Sequence, residues 1–150
     1  MINSKIGVIG GGAWGTALGS NLSAKNKNIL LWSRNERVVE SINLNNSNNL
    51  YLPDVKLTSN LKSTSSIEEL ESYKVLIFAV PTQYIRNTLK LFKKIITNHT
   101  IIINCSKGIE KKTLFFPSDI FKEFVPCSPF AILSGPTFAS EVARNLPSAI

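Results

Sequence analysis

Short apolar runs alternate with helical patterns along almost the whole chain of 150 residues. Runs at residues 5–9, 29–32, 75–80 and 100–105 have the length and aliphatic content of strands buried on both faces, and a further run covers 130–133. Parallel strands of this kind need crossover connections, and helical patterns occupy the segments between them. Because such crossovers are right-handed, we expect an α/β domain with a doubly wound, mostly parallel sheet.

Apolar spacings of three and four residues predict the helices between these strands. The first helix begins at Ala13, and a second covers 36–44 with Asn35 as its N-cap. Thr82 is expected to cap a later helix. Further helices are predicted over residues 66–72, over 113–124 with an interruption or a new start near Pro117, and over 137–144. The Asn-rich segment 45–60 has the weakest signal for regular structure, and it is either a functional loop or a slack connection.

Three glycines follow the first apolar run. Gly10, Gly12 and Gly15 form the pattern G-x-G-x-x-G between a predicted strand and a predicted helix, which is the context that gives this pattern meaning. Gly10 permits a tight turn, Gly12 lets a pyrophosphate approach the backbone, and Gly15 allows close packing of helix and strand. The N–H groups and dipole of the helix favour phosphate charge. We predict a Rossmann-like dinucleotide-binding domain over residues 1–150; the alternative is a glycine-rich turn without a ligand.

The residues after the second apolar run bear on which dinucleotide would bind. An Asp or Glu at this place binds the ribose 2′-hydroxyl of NAD, whereas this sequence has Ser33 and Arg34, with Glu36 only further on. An arginine there is able to pair with a 2′-phosphate or to stack on adenine. The predicted cofactor is therefore NADP or NAD, and a surface arginine without a ligand is the alternative.

Three segments are expected at the carboxyl ends of the strands, where ligands of open α/β sheets bind: residues 80–82, 105–108 and 134–137. Lys107 is the most informative of these residues, because a cation there would hold a phosphate or polarise a carbonyl oxygen. By position alone, a solvated turn lysine is an equally good interpretation. We interpret His99 as a loop residue and Cys105 as a buried strand residue, not as catalysts.

Six segments resemble, in the same order, motifs of bacterial glycerol-3-phosphate dehydrogenases: residues 10–18, 31–34, 51–53, 79–83, 106–110 and 134–143. The resemblance covers essentially the whole chain, and its last segment, SGPTFASEVA, is the most specific. It implies that the protein interconverts sn-glycerol 3-phosphate and dihydroxyacetone phosphate by hydride transfer with NAD(P)(H), a reaction that supplies glycerophospholipid synthesis.

The resemblance also implies roles for individual residues. To Gly10, Gly12 and Gly15 of the glycine pattern it adds the cofactor contacts Ala13, Trp14, Arg34, Tyr51, Lys107 and Ala139. The implied substrate contacts are Lys107, Gly135 and Thr137, with Lys107 acting electrostatically on the substrate. In the family, the proton-acceptor lysine and an Arg–Asn pair that grips the substrate phosphate lie in a helical C-terminal domain that this chain lacks. We therefore expect a chain truncated near the end of its cofactor-binding domain that binds cofactor and turns over poorly.

Composition narrows the setting further. The net charge of +7 invites a nucleic-acid interpretation, but the lysines are spread along the chain, so we predict small anionic ligands and no nucleic acid; the resemblance implies that the substrate is a small phosphorylated molecule. No run approaches ~18 uncharged apolar residues, and residues 1–5 do not resemble a secretory signal, so we predict no membrane association and a cytoplasmic location. Cys105 and Cys127 are too isolated for a disulfide framework or a metal site.

Two rival functions stay open, namely a related hydroxyacid dehydrogenase and a non-catalytic dinucleotide-binding module. A homodimer of the full-length enzyme is compatible with the resemblance.

Overall fold

The computed structural model describes residues 4–149. Its single sheet has six strands in the order β3-β2-β1-β4-β5-β6. The strands are β1 (Ile6–Ile9), β2 (Ile29–Trp32), β3 (Lys62–Thr64), β4 (Val75–Phe78), β5 (Ile101–Asn104) and β6 (Phe130–Ile132). Every neighbouring pair is parallel, which confirms the predicted doubly wound α/β class.

Helices cover both faces of this sheet. They are α1 (Ala13–Lys25), α2 (Glu36–Asn45), α3 (Ile85–Phe92), α4 (Pro117–Phe124) and α5 (Ala139–Ala143). Residues of α1, α2 and α5 belong to the core on one face, and residues of α3 and α4 belong to the core on the other. Because successive strand residues point to opposite faces, Val8 of β1 joins the first core and Ile9 joins the second.

The second core is rich in aromatic side chains. Phe92 of α3 packs edge-on against Trp32 and Phe78, with ring centroids 5.0 and 6.0 Å apart. Phe78 also meets Phe121 of α4 at 5.1 Å. These contacts fix α3 and α4 on the strands whose carboxyl ends carry the candidate site.

The structure confirms the early elements of the sequence prediction and corrects several later ones. The Asn35 side chain caps α2 by accepting a hydrogen bond from the Arg37 N–H at 3.1 Å. Thr82, by contrast, does not cap α3, because its hydroxyl donates to the Lys107 carbonyl at 2.7 Å and a 3-10 turn precedes the helix. The helix predicted over 66–72 is only a 3-10 turn at Glu68–Leu70.

Other differences concern element bounds. Of the segment 113–124, only the part from Pro117 onward is helical, which agrees with the new start predicted near that proline. The helix predicted over 137–144 begins later, at Ala139, and β3 has no counterpart in the sequence prediction. Ile150 and residues 1–3 lie outside the described part of the chain. Within residues 4–149, none of the helices combines the length and the apolar character that a bilayer span requires.

Candidate functional site

The candidate site lies where the strand order reverses. From β1 the chain builds outward first through β2 and β3 and then, on the other side, through β4, β5 and β6. Ligands of open α/β sheets bind at such a switch point, beyond the carboxyl ends of the strands. Two clefts open there, with volumes of about 440 and 390 Å³. They share Gly12 and residues 79–81, so they form two halves of one trough.

The three glycines of the predicted pattern have different surroundings. Gly10 has a φ of +122°, and a Cβ there would lie 2.6 Å from the Ala79 carbonyl oxygen. A Cβ on Gly15 would lie 1.9 Å from the Gly10 carbonyl oxygen. A Cβ on Gly12 would meet no atom within 4 Å, because that position faces the open trough. Gly10 and Gly15 are therefore needed because the neighbouring backbone leaves no space for a side chain, whereas Gly12 leaves room for a ligand.

The first turn of α1 presents hydrogen-bond donors to the trough. Gly12 is the N-cap, and no residue in the described range accepts a hydrogen bond from the backbone N–H of Gly12, Ala13 or Trp14. All three residues line the smaller cleft. Unpaired N–H groups at the positive end of a helix dipole are suited to an anion.

The larger cleft, between β2 and α3, has a cationic and aromatic wall. The Arg34 side chain is exposed, and its guanidinium carbon lies 5.2 Å from the centroid of the Tyr84 ring, a cation–π contact. Tyr51, which is 48% exposed, lines the same cleft. Among the described residues that line it, none is acidic. The structure thus brings Arg34 and Tyr51 together beside the glycine loop.

The smaller cleft, toward β5 and α5, contains the cation predicted from the sequence. Lys107 is exposed, and its Nζ donates a hydrogen bond to the Gly135 carbonyl at 2.7 Å. Thr137 and Ala139 line this cleft together with Lys107. No carboxylate within residues 4–149 forms an ion pair with the ammonium. The positive charge of Lys107 therefore faces the cleft without an anionic partner from the described chain.

The loop that carries Lys107 is held by the loop after β4. Thr82 donates to the Lys107 carbonyl, and Gln83 donates through Nε2 to the Ile109 carbonyl at 2.8 Å. The Gln83 side-chain oxygen accepts from the Lys111 N–H at 3.0 Å. These long-range hydrogen bonds connect the sequence motif at residues 79–83 with the loop that contains the motif at residues 106–110. They hold the backbone that carries the Lys107 side chain in place.

A charged cluster anchors the far end of the same loop. Arg86 Nε donates to both carboxylate oxygens of Glu110, at 2.8 and 2.9 Å, and another nitrogen of its guanidinium pairs with Glu123. The Thr113 hydroxyl donates to Glu110 at 2.5 Å. The hydrogen bond from Thr113 and the charge and hydrogen bonds of Arg86 lower the pKa of Glu110 below its ordinary value.

Cys105 lies buried where β5 meets the smaller cleft, in agreement with its interpretation from the sequence. Burial raises the pKa of its thiol to about 11, and the neighbouring Trp14 indole opposes this only in part. The thiol is therefore protonated near neutral pH and poorly suited to act as a nucleophile. His99 lies in the exposed turn before β5 and lines neither cleft.

Sequence reasoning did not identify Asn48 as part of this region. Its side chain is fully buried, and its amide nitrogen donates to the Gly11 carbonyl at 3.0 Å and to the Thr16 hydroxyl at 2.7 Å. The surrounding segment offered only an Asn-rich composition, which does not distinguish one asparagine from another. Thr82 and Gln83 did belong to a recognised motif, but their contacts with the Lys107 loop carry no local signal.

Comparison with known proteins agrees with this geometry. Residues 5–150 match the family described as NAD-dependent glycerol-3-phosphate dehydrogenase N-terminus. The chain belongs to this family. The match begins just before β1 and includes both clefts.

Relatives within the family are considerably longer than this chain. The glycerol-3-phosphate dehydrogenase of Erythrobacter litoralis, which uses NAD(P)+ by its name, is 40% identical over 149 residues, covering 99% of this chain and 44% of the relative. The corresponding Ehrlichia canis protein is 44% identical over 97% of this chain and 46% of its own length. The crystal structure of glycerol-3-phosphate dehydrogenase from Coxiella burnetii superimposes with a TM-score of 0.86 at 30% identity, over 95% of this chain and 44% of that one. The chain thus spans less than half the length of these relatives.

Proposed function

We propose that this chain is the cofactor-binding part of a glycerol-3-phosphate dehydrogenase and that it binds NADP(H) or NAD(H). One observation carries the proposal: a glycine loop with room at Gly12 and unpaired N–H groups opens at the switch point, between two clefts. A diphosphate at Gly12 would place the two nucleoside halves in the two clefts. Membership of the family supports the same cofactor class and the interconversion of glycerol 3-phosphate and dihydroxyacetone phosphate.

The residues present fit such a cofactor. Gly12, Ala13 and Trp14 would donate backbone hydrogen bonds to the diphosphate, since these N–H groups find no acceptor in the described chain. Arg34 and Tyr51 would hold the adenosine half in the larger cleft. Nicotinamide, when bound, accepts or supplies the hydride. Gly10 and Gly15 would contribute by keeping the turn tight enough for the helix to point at the diphosphate.

Lys107 would act on both cofactor and substrate in the smaller cleft, which Ala139 also lines. The bond to the Gly135 carbonyl restrains the ammonium, so its charge is placed before a ligand arrives. A restrained cation in this position would neutralise the phosphorylated substrate or stabilise charge on its reacting oxygen. Gly135 and Thr137 would contribute the substrate contacts of the adjoining segment.

We further propose that residues 1–150 bind cofactor without efficient turnover, because the proton acceptor implied by the family resemblance belongs to a separate helical domain. The substrate would be a small phosphorylated molecule, the location cytoplasmic and the full-length assembly a homodimer. The proposals on substrate and assembly rest on the family resemblance, and the proposal on location rests on the two isolated cysteines, which fit a reducing compartment.

Calorimetric titration of the chain with NADPH and with NADH tests the proposed cofactor. We expect binding with one site per chain and little oxidation of NADPH in the presence of dihydroxyacetone phosphate. If neither NADPH nor NADH binds to the folded protein, the proposal is contradicted. Turnover by residues 1–150 at rates typical of dehydrogenases would contradict the expected dependence on a further domain.

The role of Lys107 is tested by Lys107→Ala in the full-length enzyme. Loss of a positioned cation is expected to lower kcat/KM for dihydroxyacetone phosphate by about 100-fold or more. Lys111→Ala is the matched control, because Lys111 is an exposed lysine on the same loop that lines neither cleft. Equal effects of the two substitutions would show that only the general charge of the loop matters.

A further inference from the structure

We infer that Asn48 is a positioning residue for dinucleotide binding: its side-chain amide orients the Gly11–Gly12 peptide so that the Gly12 N–H points at the diphosphate. The inference rests on the proposed function, which supplies the ligand. It concerns a residue 37 positions away from Gly11 in the chain, on a loop that otherwise has little regular structure.

The contacts of Asn48 determine which way its amide faces. The Gly11 carbonyl can only accept a hydrogen bond, so the side-chain atom 3.0 Å from it must be the nitrogen. The same nitrogen donates to the Thr16 hydroxyl at 2.7 Å, and that hydroxyl in turn lies 3.5 Å from the Gly11 carbonyl. Both protons of the amide are thus used on the glycine loop and the first turns of α1.

Hydrogen bonding to the Gly11 carbonyl has a consequence on the other side of the peptide. No cis peptide bond occurs among the described residues, and in a trans peptide the N–H points opposite to the C=O. A carbonyl of Gly11 held toward buried Asn48 therefore turns the N–H of Gly12 away from the core. Gly12 lines both clefts, and its N–H has no acceptor in residues 4–149. This N–H is therefore free to donate a hydrogen bond to a ligand.

A peptide between two glycines needs such a restraint. Glycine adopts conformations closed to other residues, so the Gly11–Gly12 peptide has more freedom to rotate than its neighbours. Rotation would present the Gly11 carbonyl oxygen to the diphosphate in place of the Gly12 N–H, exchanging an attraction for a repulsion. Asn48 opposes this rotation because it would break a buried hydrogen bond.

Two further features of Asn48 support a specific role. Its Oδ1 is buried and has no hydrogen-bond partner in the described part of the chain, so the two hydrogen bonds that the amide nitrogen donates must offset the cost of burying this oxygen. Its backbone carbonyl accepts from the N–H groups of Tyr51 and Leu52, at 3.2 and 2.8 Å, which forms the turn that carries Tyr51 to the larger cleft. Asn48 therefore connects the glycine loop to the adenosine side of the trough.

The test compares Asn48 variants with a matched asparagine in the full-length protein. Asn48→Ala removes the donor, and Asn48→Asp keeps the shape but replaces the donor with an acceptor. Asn43→Ala is the control, because the Asn43 side chain also makes two long-range hydrogen bonds, to the backbone of Ser63, but lines neither cleft. Affinities are measured for NADPH and for 2′-AMP, which has the adenosine and 2′-phosphate but no diphosphate.

We expect both Asn48 variants to bind NADPH about tenfold more weakly or worse, with 2′-AMP affinity changed by less than about twofold. Asn43→Ala should bind both ligands like the unmodified protein. The inference is overturned if a folded Asn48 variant binds NADPH normally, or if NADPH and 2′-AMP lose affinity equally, since the latter indicates general loosening of the loop. If the alanine variant does not fold, the isosteric aspartate variant decides. Failure of the unmodified protein to bind NADPH would instead refute the proposed function.

Discussion

Gly12 and Gly15 are three residues apart, yet an added methyl group would meet different surroundings at the two positions. At Gly15 it would overlap the Gly10 carbonyl at 1.9 Å, whereas at Gly12 it would project into open space. The backbone of Gly12, with φ of −73°, is also accessible to alanine. One glycine is therefore required by the fold itself, and the other is required only when a ligand approaches the backbone.

This contrast predicts opposite phenotypes for two alanine substitutions. Gly15→Ala should lower the free energy of unfolding by about 3 kcal/mol, because backbone must shift to relieve the overlap. Gly12→Ala should change it by less than about 1 kcal/mol but weaken NADPH binding at least tenfold. Urea denaturation and calorimetric titration measure the two effects. Normal NADPH binding by Gly12→Ala would place the diphosphate elsewhere.

Arg34 allows a second prediction at the residue scale, on the choice between NADP and NAD. Arg34→Ala should weaken NADPH binding about tenfold or more and NADH binding by less than about threefold, because only NADPH carries the 2′-phosphate. Arg37→Ala is the control, since it removes the same charge from an exposed position in α2 outside both clefts. A similar loss for both nucleotides would indicate that Arg34 acts by stacking on adenine.

At the scale of elements, the site depends on how α3 is tied to the loop after β5. Thr82 and Gln83 hold the first half of that loop, and Arg86 holds Glu110 beyond it. The pKa of Glu110 is lower in the folded chain than the 4.5 of free glutamate. A carboxyl group with a depressed pKa stabilises the fold above its unfolded pKa and loses this contribution as pH falls through the folded value.

The pH dependence of stability should therefore respond to Glu110→Gln. We expect this variant to unfold at lower urea concentration than the unmodified protein at pH 7, and the difference to narrow as pH falls below 4.5, where the native carboxylate becomes protonated. Glu40→Gln, an exposed substitution in α2, should follow the unmodified protein across the range. A difference that is constant with pH would show that the Glu110 charge does not contribute.

At the scale of the whole molecule, the sheet brings together residues from opposite ends of the chain. The trough joins the loop after β1 with the segment before α5. Helix α5 packs against α1, and the Asn21 side chain of α1 donates a hydrogen bond of 2.9 Å to the side chain of Asn145, just after α5. Cys105 lies beneath this assembly at 3% exposure, whereas Cys127 is exposed. The reactivity of the two thiols consequently reports whether the assembly is closed.

We predict that a disulfide reagent at pH 8 will modify one thiol per native chain quickly. Cys105 should react about 100-fold more slowly, because it requires local opening and carries a raised pKa. Cys127→Ser should abolish the fast phase, and unfolding in denaturant should expose both thiols. Two equally fast thiols in the native protein would contradict the packing around the smaller cleft.

The sequence was most informative where local pattern and tertiary environment agree. The bounds of β2 and the start of α1 were predicted correctly. In both places the local pattern, an apolar run or a group of glycines, favours the same conformation that packing in the sheet requires. The strand β3 is absent from the sequence prediction because its three residues, Lys62–Thr64, have no apolar alternation. Its extended conformation is stabilised by pairing with residues 30–32 of β2. The local sequence around β3 does not indicate this pairing, because the two strands are distant in the chain.

By itself, then, the sequence determined the α/β class, the glycine turn at Gly10–Gly15 and the expectation that Lys107 lies at the carboxyl edge of the sheet, since strand periodicity and glycine spacing are local properties. Only the tertiary structure decided that Arg34 lies over Tyr84, that Gly135 restrains Lys107 and that Asn48 reaches the Gly11 carbonyl. Each of these contacts joins residues at least 28 positions apart, and chain folding brings such residues together without leaving any period in the sequence.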